Sequence, residues 1–307
     1  MSSAPRVKRA LGTLTIAGAA ALAWGSLVER HWYTLRHITV PAIRPGAHGP
    51  LRILHVSDLH LLPGQHDKTD FVRACMHAQP DLVIATGDLL GHADVIDDAL
   101  RAMALPEGVP GAFVLGSNDF YGPILKNPLG YLTGPSDLPE EDPARRLDTK
   151  QLVDGMLANG WTQLDNRRAI IDTAAGPVDL IGLGDPHIRR DRPEELDWRK
   201  PEHAALRLGV VHAPYRRVLD RFSRADMDLV FAGHTHGGQV RIPGFGALVA
   251  NCDLPLKAAR GLTQYGSHTW LHVSAGLGHS QFAPVRFACR PEATMLDLVS
   301  APTPGED

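Results

Sequence analysis

Between Leu51 and Leu115 three apolar runs alternate with two helical patterns, and no other stretch restricts the fold as much. The runs are Leu51-Arg52-Ile53-Leu54-His55-Val56, Leu82-Val83-Ile84-Ala85 and Gly111-Ala112-Phe113-Val114-Leu115. Each is short and bounded by turn-forming residues, as a buried strand requires. The helical patterns run from Thr69, a capping residue followed by Asp70, to Gln79, and from Asp94 to Leu105. Strand, helix, strand, helix, strand needs crossover connections and predicts a mainly parallel sheet.

Beyond this unit the rhythm changes. Tyr121 to Lys150 is rich in Gly and Pro, carries Glu140-Glu141-Asp142, and reads as a long surface loop, either a lid or a solvated insertion. Helices are predicted over 152–158, 193–199 and 215–224. Ala169–Asp172 and Val178–Gly182 read as a hairpin. Further strands are predicted over 206–211, 229–232, 240–242, 248–250, 270–274, 285–288 and 295–299. This many strands would fill two stacked sheets with helices outside.

The chain has 307 residues, of which 44% are apolar and 21% charged, enough for one large α/β domain or two small ones. A net charge of −3 argues against a nucleic-acid partner held by a basic surface. The three cysteines form no CxxC pair, which excludes a zinc ribbon and a redox motif and leaves a Cys252–Cys289 bridge open. At the N-terminus Arg6, Lys8 and Arg9 precede an uncharged run from Ala10 to Val28. Such a run is roughly long enough to cross a hydrocarbon core, and the basic flank places the rest of the chain outside. Trp24, Trp32 and Tyr33 suit an interfacial belt. Residues 1–36 are therefore expected to be a membrane anchor. A signal peptide cleaved near Ala21-Leu22-Ala23 and a buried helix are the rival readings. Residues 37–50, with three prolines, read as a linker, 51–300 as the domain and 301–307 as a tail.

Chemistry collects at the strand ends. Asp58 and His60, Asp88, Asn118 and Asp119, His212, and His234 with His236 each fall just past the carboxyl end of a predicted strand. Ligands of open α/β sheets sit at that edge. In Gly233-His234-Thr235-His236-Gly237 the two-residue spacing puts both imidazoles on one side of extended backbone, and the glycines allow a sharp turn. One aspartate after a strand often caps the next helix; five strand ends in succession are harder to explain that way. So many carboxylates and imidazoles exceed the needs of one metal. They fit two metals about 3.5–4 Å apart sharing a carboxylate, as used for phosphate-ester cleavage. The chain has neither HExxH nor PCxxC, against a single-zinc protease or deaminase.

Asp58-Leu59-His60, Gly87-Asp88, Gly116-Ser117-Asn118-Asp119, His212 and Gly233-His234-Thr235-His236 resemble the five ordered blocks of the calcineurin-like metallophosphoesterase superfamily. Gly237-Gly238-Gln239, the lone membrane segment and the C-terminal third resemble its membrane-anchored bacterial branch. The resemblance spans Leu51 to Val299 and implies a four-layer α/β/β/α sandwich of two mixed sheets. It implies that Asp58, His60 and His236 hold one divalent metal, that Asp88 bridges, and that His212, His234 and the third-block amide hold the other. Manganese, iron, zinc or magnesium would serve, and metal-activated hydroxide would hydrolyse a phosphate monoester or diester.

The third block departs from the family's usual Gly-Asn-His-Asp or Gly-Asn-His-Glu. In register Ser117 replaces the ligand and Asn118 the catalytic histidine. A small backbone adjustment lets Asn118 ligate instead, and an amide oxygen suits a hard cation better than a hydroxyl. Catalytic roles fall to Asp88, Asn118, Asp119 and His212, with Asp119 orienting a neighbour or capping a turn. Substrate phosphate is assigned to Asn118 and Arg286, with a structural loop and a surface arginine as the other reading of Gly276-Leu277-Gly278-His279-Ser280 and Arg286. His55, His66, His92, His187 and His279 are conceivable substitutes for the missing acid, and Gly184-Asp185-Pro186-His187 is a turn or a rim element. The expected protein is a membrane-anchored phosphoesterase with a lipid or envelope-derived substrate. The alternative is a metal-binding protein of the same fold without turnover.

Overall fold

The computed structural model describes residues 4–43, 49–123, 143–202, 204–280 and 282–300. In chain order it contains α1 (Ala4–Leu27), β1 (Thr34–Ile43), β2 (Leu51–Val56), α2 (His66–Met76), β3 (Leu82–Ala85), α3 (Ile96–Ala102), β4 (Gly111–Phe113) and α4 (Ser117–Phe120). There follow α5 (Thr149–Ala158), β5 (Trp161–Gln163), β6 (Arg167–Thr173), β7 (Gly176–Gly182), β8 (Leu206–Val210), α6 (Arg216–Arg224) and β9 (Leu229–Ala232). The chain closes with β10 (Arg241–Ile242), β11 (Gly246–Ala247), β12 (Gly261–Tyr265), β13 (Thr269–Val273) and β14 (Glu292–Ser300).

Two six-stranded sheets carry the fold, in the orders β1-β14-β2-β3-β4-β5 and β12-β13-β9-β8-β7-β6. Both are mixed. The first is parallel from β2 to β5, with β14 antiparallel to β2; the second is parallel from β13 to β7 and antiparallel at both edges. The period of two along each strand sorts the side chains into layers. Ile53, Ile84, Leu208 and Phe231 meet between the sheets. Leu54 and Val83 face outward onto Val72, Ala99 and Leu152 of α2, α3 and α5. Val230 and Ile181 pack on Val218, Leu219 and Phe222 of α6. Helices thus cover the outer faces, as the predicted sandwich requires.

The expected linker is corrected first. Part of 37–50 belongs to β1, which pairs in parallel with β14 from Thr34↔Glu292 to Val40↔Leu298. Glu292 is buried and pairs with Arg36 and Arg260, which fastens the strand. An edge strand keeps one side in water and tolerates proline, so its polar residues and Pro41 hide it from periodicity. The membrane-spanning helix is the second correction: among the described residues no helix is long and apolar enough to cross a membrane. The uncharged run owes its length to Ala, Gly, Ser and Thr, which contribute little transfer energy.

Other differences are local. The expected strands at 248–250 and 285–288 do not form; β10 pairs with β11, and Val240↔Phe287 is an isolated bridge. β5 and β12 are short edge strands outside the expected set. α2 starts at His66 rather than at Thr69, and 193–199 forms only a 3-10 turn over Pro193–Glu195. The patch Glu140-Glu141-Asp142 lies outside the described residues. Cys252 and Cys289 are separate thiols.

Candidate metal centre

The carboxyl ends of β2, β3 and β4 from one sheet and of β8 and β9 from the other open onto a common edge. Asp58 and His60 follow β2, Asp88 follows β3, Asn118 lies in α4, His212 follows β8, and His234 and His236 follow β9. Five of these residues adopt the left-handed backbone, with φ of 50° at Asp58, 41° at His60, 54° at Asp88, 69° at His234 and 50° at His236. That conformation costs a non-glycine residue roughly 1–2 kcal/mol, so its concentration here marks a functional constraint. Backbone bonds enforce it: Asp58 N donates to Gly87 O and His60 N to Asp88 O, each at 2.9 Å. Two glycines permit the approach of the sheets. A Cβ at Gly233 would strike Ser57 Oγ and Asp58 Oδ2, and one at Gly116 would strike Asp88 Oδ1 and the His212 ring.

The donor atoms of Asp58, His60 and His236 lie within 4.8 Å of one another, as do those of Asp58, Asp88 and His212. Asp88 Oδ2 is 3.3 Å from His60 Nε2 and 3.4 Å from His212 Nε2, so it touches both groups. His60 Nε2 and His236 Nε2 are 3.1 Å apart. His212 Nδ1 lies 2.6 Å from the Thr86 carbonyl, which only accepts, so the neutral ring keeps its lone pair on Nε2. His234 Nε2 lies 3.1 Å from the Asn251 carbonyl and 3.2 Å from Asn251 Nδ2; a proton on Nε2, given to the carbonyl, leaves the lone pair on Nδ1. Those two lone-pair nitrogens face each other at 3.3 Å beside the Asp88 carboxylate. This gathering of imidazole and carboxylate could hold a cation, and the donor set suits a divalent transition ion or magnesium.

Electrostatics agree with that donor set at His60, His234 and His236; at His212 they favour the protonated ring, whose Nε2 proton a cation would displace. Burial holds His60 down to about 4 and keeps His234 and His236 well below the usual imidazole range, so all three are neutral at pH 7. Burial also opposes charge at His212, but the carboxylates of Asp88 and Asp185 outweigh it and raise the ring well above its ordinary value. Asp88 is pushed up by burial, yet His212 and the Asn118 backbone N–H hold it well below the carboxylate range.

In the third block Asn118, not Ser117, makes the contacts to Asp88. Its backbone N donates to Asp88 Oδ1 at 2.7 Å and its Nδ2 to Asp88 Oδ2 at 2.8 Å, whereas Ser117 Oγ is buried and reaches only Asn118 Nδ2, at 3.4 Å. A half-turn of the amide offers oxygen from the same place. Asp119 does not face this centre. Its fully buried carboxylate accepts the backbone N–H groups of Asp88, Leu89, Leu90 and Gly116 at 2.8–3.2 Å. It therefore sets the turn that carries Asp88, a positioning role rather than a catalytic one.

Arg286 is a clearer correction. It is completely buried, and its donors go to the carbonyls of Ala275, Gly276, Gly278 and Cys289, with His236 Nδ1 at 3.4 Å. No donor faces open space, so Arg286 orders the loop behind His236 and does not hold substrate phosphate. Gly237 and Gly238 likewise pack on Cys289 and Ala247 rather than on the candidate ligands. Among the proposed substitute acids, His55 and His279 are buried and His66 is exposed on α2.

Strand β7 adds residues that sequence reasoning underweighted. His187 places its ring 4.6 Å from that of His234, with Nδ1 2.9 Å from Tyr215 Oη. Asp185 is fully buried; Oδ1 accepts from His187 N at 2.9 Å, and Oδ2 has no hydrogen-bond partner among the described residues. The signal was present, since Asp185 and His187 also follow an apolar strand. Burial pushes the Asp185 carboxyl up to about 7. An acid whose pKa is raised on folding destabilises progressively as pH climbs from its unfolded value to its folded one. Asp185→Asn stays neutral. In metal-free protein it is expected to gain stability over the wild type between pH ~4 and ~7, by on the order of a few kcal/mol at the top of that window. Denaturant midpoints across that range measure the gap. A gap that does not change with pH would mean that Asp185 is ionised in the fold throughout.

Carboxylates and imidazoles held on strained turns at the edge of two sheets define a metal-dependent hydrolase. The chain belongs to the calcineurin-like phosphoesterase family, which matches residues 51–238, and is a phosphoester hydrolase. It is 26% identical to phosphodiesterase YaeI of Escherichia coli, over 93% of this chain and 95% of that one. It is 27% identical to a transmembrane protein with metallophosphoesterase domain from Bos taurus, over 86% of this chain and 57% of that longer protein. It is 24% identical to the UDP-2,3-diacylglucosamine pyrophosphatase LpxG of Chlamydia trachomatis, over 83% and 85%.

Proposed function

We propose that the chain hydrolyses a phosphate monoester or diester at a two-cation centre and works at a membrane surface, on the extracytoplasmic side, on a lipid or envelope-derived substrate. The observation that carries the reading is Asp88 Oδ2, within 3.4 Å of both His60 Nε2 and His212 Nε2. Asp58, His60, His236 and Asp88 would hold one cation; Asp88, Asn118, His212 and His234 would hold the other. When bound, the cations supply charge stabilisation for the phosphoryl group and a nucleophile at neutral pH. The protein's own groups do the rest. Thr86 O keeps the His212 proton on Nδ1 and so its lone pair on the inner side. Asp119 holds the Asp88 turn from beneath. Asn118 is half-buried at the same carboxylate and presents its amide to a phosphoryl oxygen. Purified full-length chain should cleave aryl phosphate esters, lose the activity on chelation and regain it with a divalent cation. Undiminished hydrolysis by chelated, metal-free protein would overturn the reading.

The placement at a membrane rests on α1, whose apolar residues Ile16, Leu22 and Leu27 are more than 60% exposed. The names of the Bos taurus and Chlamydia trachomatis relatives, one transmembrane and one acting on a diacylated sugar nucleotide, point the same way. The full chain is expected to sediment with membranes. A chain beginning at Glu29 keeps β1 and the Glu29 carboxylate that accepts Cys289 N at 2.7 Å, and should be soluble and active. A chain beginning at Val40 loses most of the β1–β14 ladder and should unfold at lower denaturant. A full chain found wholly in the soluble fraction would refute the tether, and protease protection of the domain in bacterial spheroplasts would refute the orientation.

A further inference from the structure

The space behind Asp58, between the two sheets, is not sealed by apolar side chains alone. His55 of β2 and His272 of β13 meet there, both fully buried, Nδ1 to Nδ1 at 2.8 Å. His55 Nε2 is 2.9 Å from Thr86 Oγ1, Thr86 Oγ1 is 2.6 Å from Ser57 Oγ, and Ser57 Oγ hydrogen-bonds Asp58 Oδ2. Thr86 and Ser57 are fully buried as well. The polar side chains therefore form one unbroken line from the second sheet to a candidate ligand on the first.

Hydrogen counting gives the line a direction. An ionised carboxylate only accepts, so Ser57 donates to Asp58. Ser57 has then spent its single hydrogen, so Thr86 donates to Ser57. Thr86 is spent in turn, so His55 Nε2 donates to Thr86. Neutral His55 then has a bare Nδ1, and His272 carries its proton on Nδ1. His272 Nε2 is left as a lone pair, and that atom is one of the buried atoms without a hydrogen-bond partner among the described residues. Burial lowers both imidazoles, His272 to about 4, which keeps them neutral as the counting assumes. The line ends on a buried acceptor with no exposed group beyond it, so it is not a route for protons to solvent.

We infer that His272, His55, Thr86 and Ser57 are positioning residues, a one-way chain of donors that engages Asp58 Oδ2 and, with the His234 backbone N–H shared between Asp58 Oδ1 at 2.9 Å and Oδ2 at 3.1 Å, leaves the remaining lone pair of Asp58 Oδ1 as the one offered to a cation. Oδ1 is the oxygen on the side of His236, 3.9 Å from His236 Nε2. Every hydrogen in the chain points at Asp58, and bonds aligned this way polarise one another. A pair of leucines would pack between the sheets without an unmatched acceptor; what the two histidines add is the orientation of one carboxylate. The inference rests on the reading that Asp58 holds a cation.

Two measurements test it. In metal-free full-length protein at about pH 8, NMR of isotope-labelled imidazole nitrogens should find the proton of His55 on Nε2 and that of His272 on Nδ1. A proton on His272 Nε2 would overturn the chain, and this result needs no variant. Manganese titration calorimetry then compares His55→Gln, whose amide can still donate to Thr86, with His55→Leu, which cannot. His55→Leu should bind manganese about 10–100-fold more weakly, the usual effect of losing an outer partner of a ligand, and His55→Gln should restore most of that loss. Equal losses, or none, would make the histidines mere packing. No manganese binding by the wild type would sink the cation reading, and the positioning role with it, while leaving the tautomers to be read on their own.

Discussion

Asp88→Asn is expected to empty both halves of the centre together and to cost more turnover than the roughly 10–100-fold that follows loss of an outer-shell partner. The reason is geometric. Asp88 Oδ2 is within 3.4 Å of His60 Nε2 and of His212 Nε2, and it receives the Asn118 amide at 2.8 Å. An amide in its place carries no charge, and an amide nitrogen set where Asp88 Oδ2 lies would face the Asn118 Nδ2 donor and offer a cation no lone pair. Elemental analysis of wild type and variant, with turnover on one aryl phosphate ester, measures the effect. Unchanged occupancy in both halves would remove Asp88 from its place between them. Loss confined to one half would assign it to that half alone.

Aryl phosphate esters are expected to be cleaved much faster than alkyl ones. Asn118 stands where the family places the histidine that protonates the leaving oxygen, and an amide has no proton to give at neutral pH. General-acid help contributes about 10²–10⁴-fold, and a poor leaving group loses most of it. The rate should therefore depend steeply on leaving-group pKa. Asn118→His separates two possibilities. Because Asn118 Nδ2 contacts Asp88 Oδ2 directly, the change is expected to lower metal content rather than to flatten the dependence. A flat dependence in the wild type would mean that another acid serves. His187, whose ring lies 4.6 Å from that of His234, would be the first residue to replace.

Much of the centre was legible in the chain itself. Apolar runs of strand length report buried strands by their period of two, and the residues just past each run fall at one sheet edge. That logic reaches Asp58, His60, Asp88, Asn118, His212, His234 and His236 without any knowledge of contacts. It failed where a residue's role depends on what another part of the chain supplies. β1 is half polar because only one side of it is paired, by β14, more than 250 residues later. Arg286 looked like a phosphate ligand, but the loop from Ala275 to Cys289 closes around it and takes its donors for backbone carbonyls. Asp119 looked catalytic, but its carboxylate accepts three N–H groups of the Asp88 turn and that of Gly116.

His55 shows the division most sharply. Within β2 it is a polar interruption of an apolar run; the period of two puts it on the face of Leu51 and Ile53, but nothing nearby in the sequence says what it meets there. Its partner His272 is 217 residues away on the other sheet. Local periodicity encodes on which side of a strand a residue lies, because backbone geometry alone sets it. Which donor meets which acceptor across the sandwich depends on how the two sheets are stacked and in what register. Only the tertiary structure decides that, since each buried hydrogen bond needs both of its partners at once.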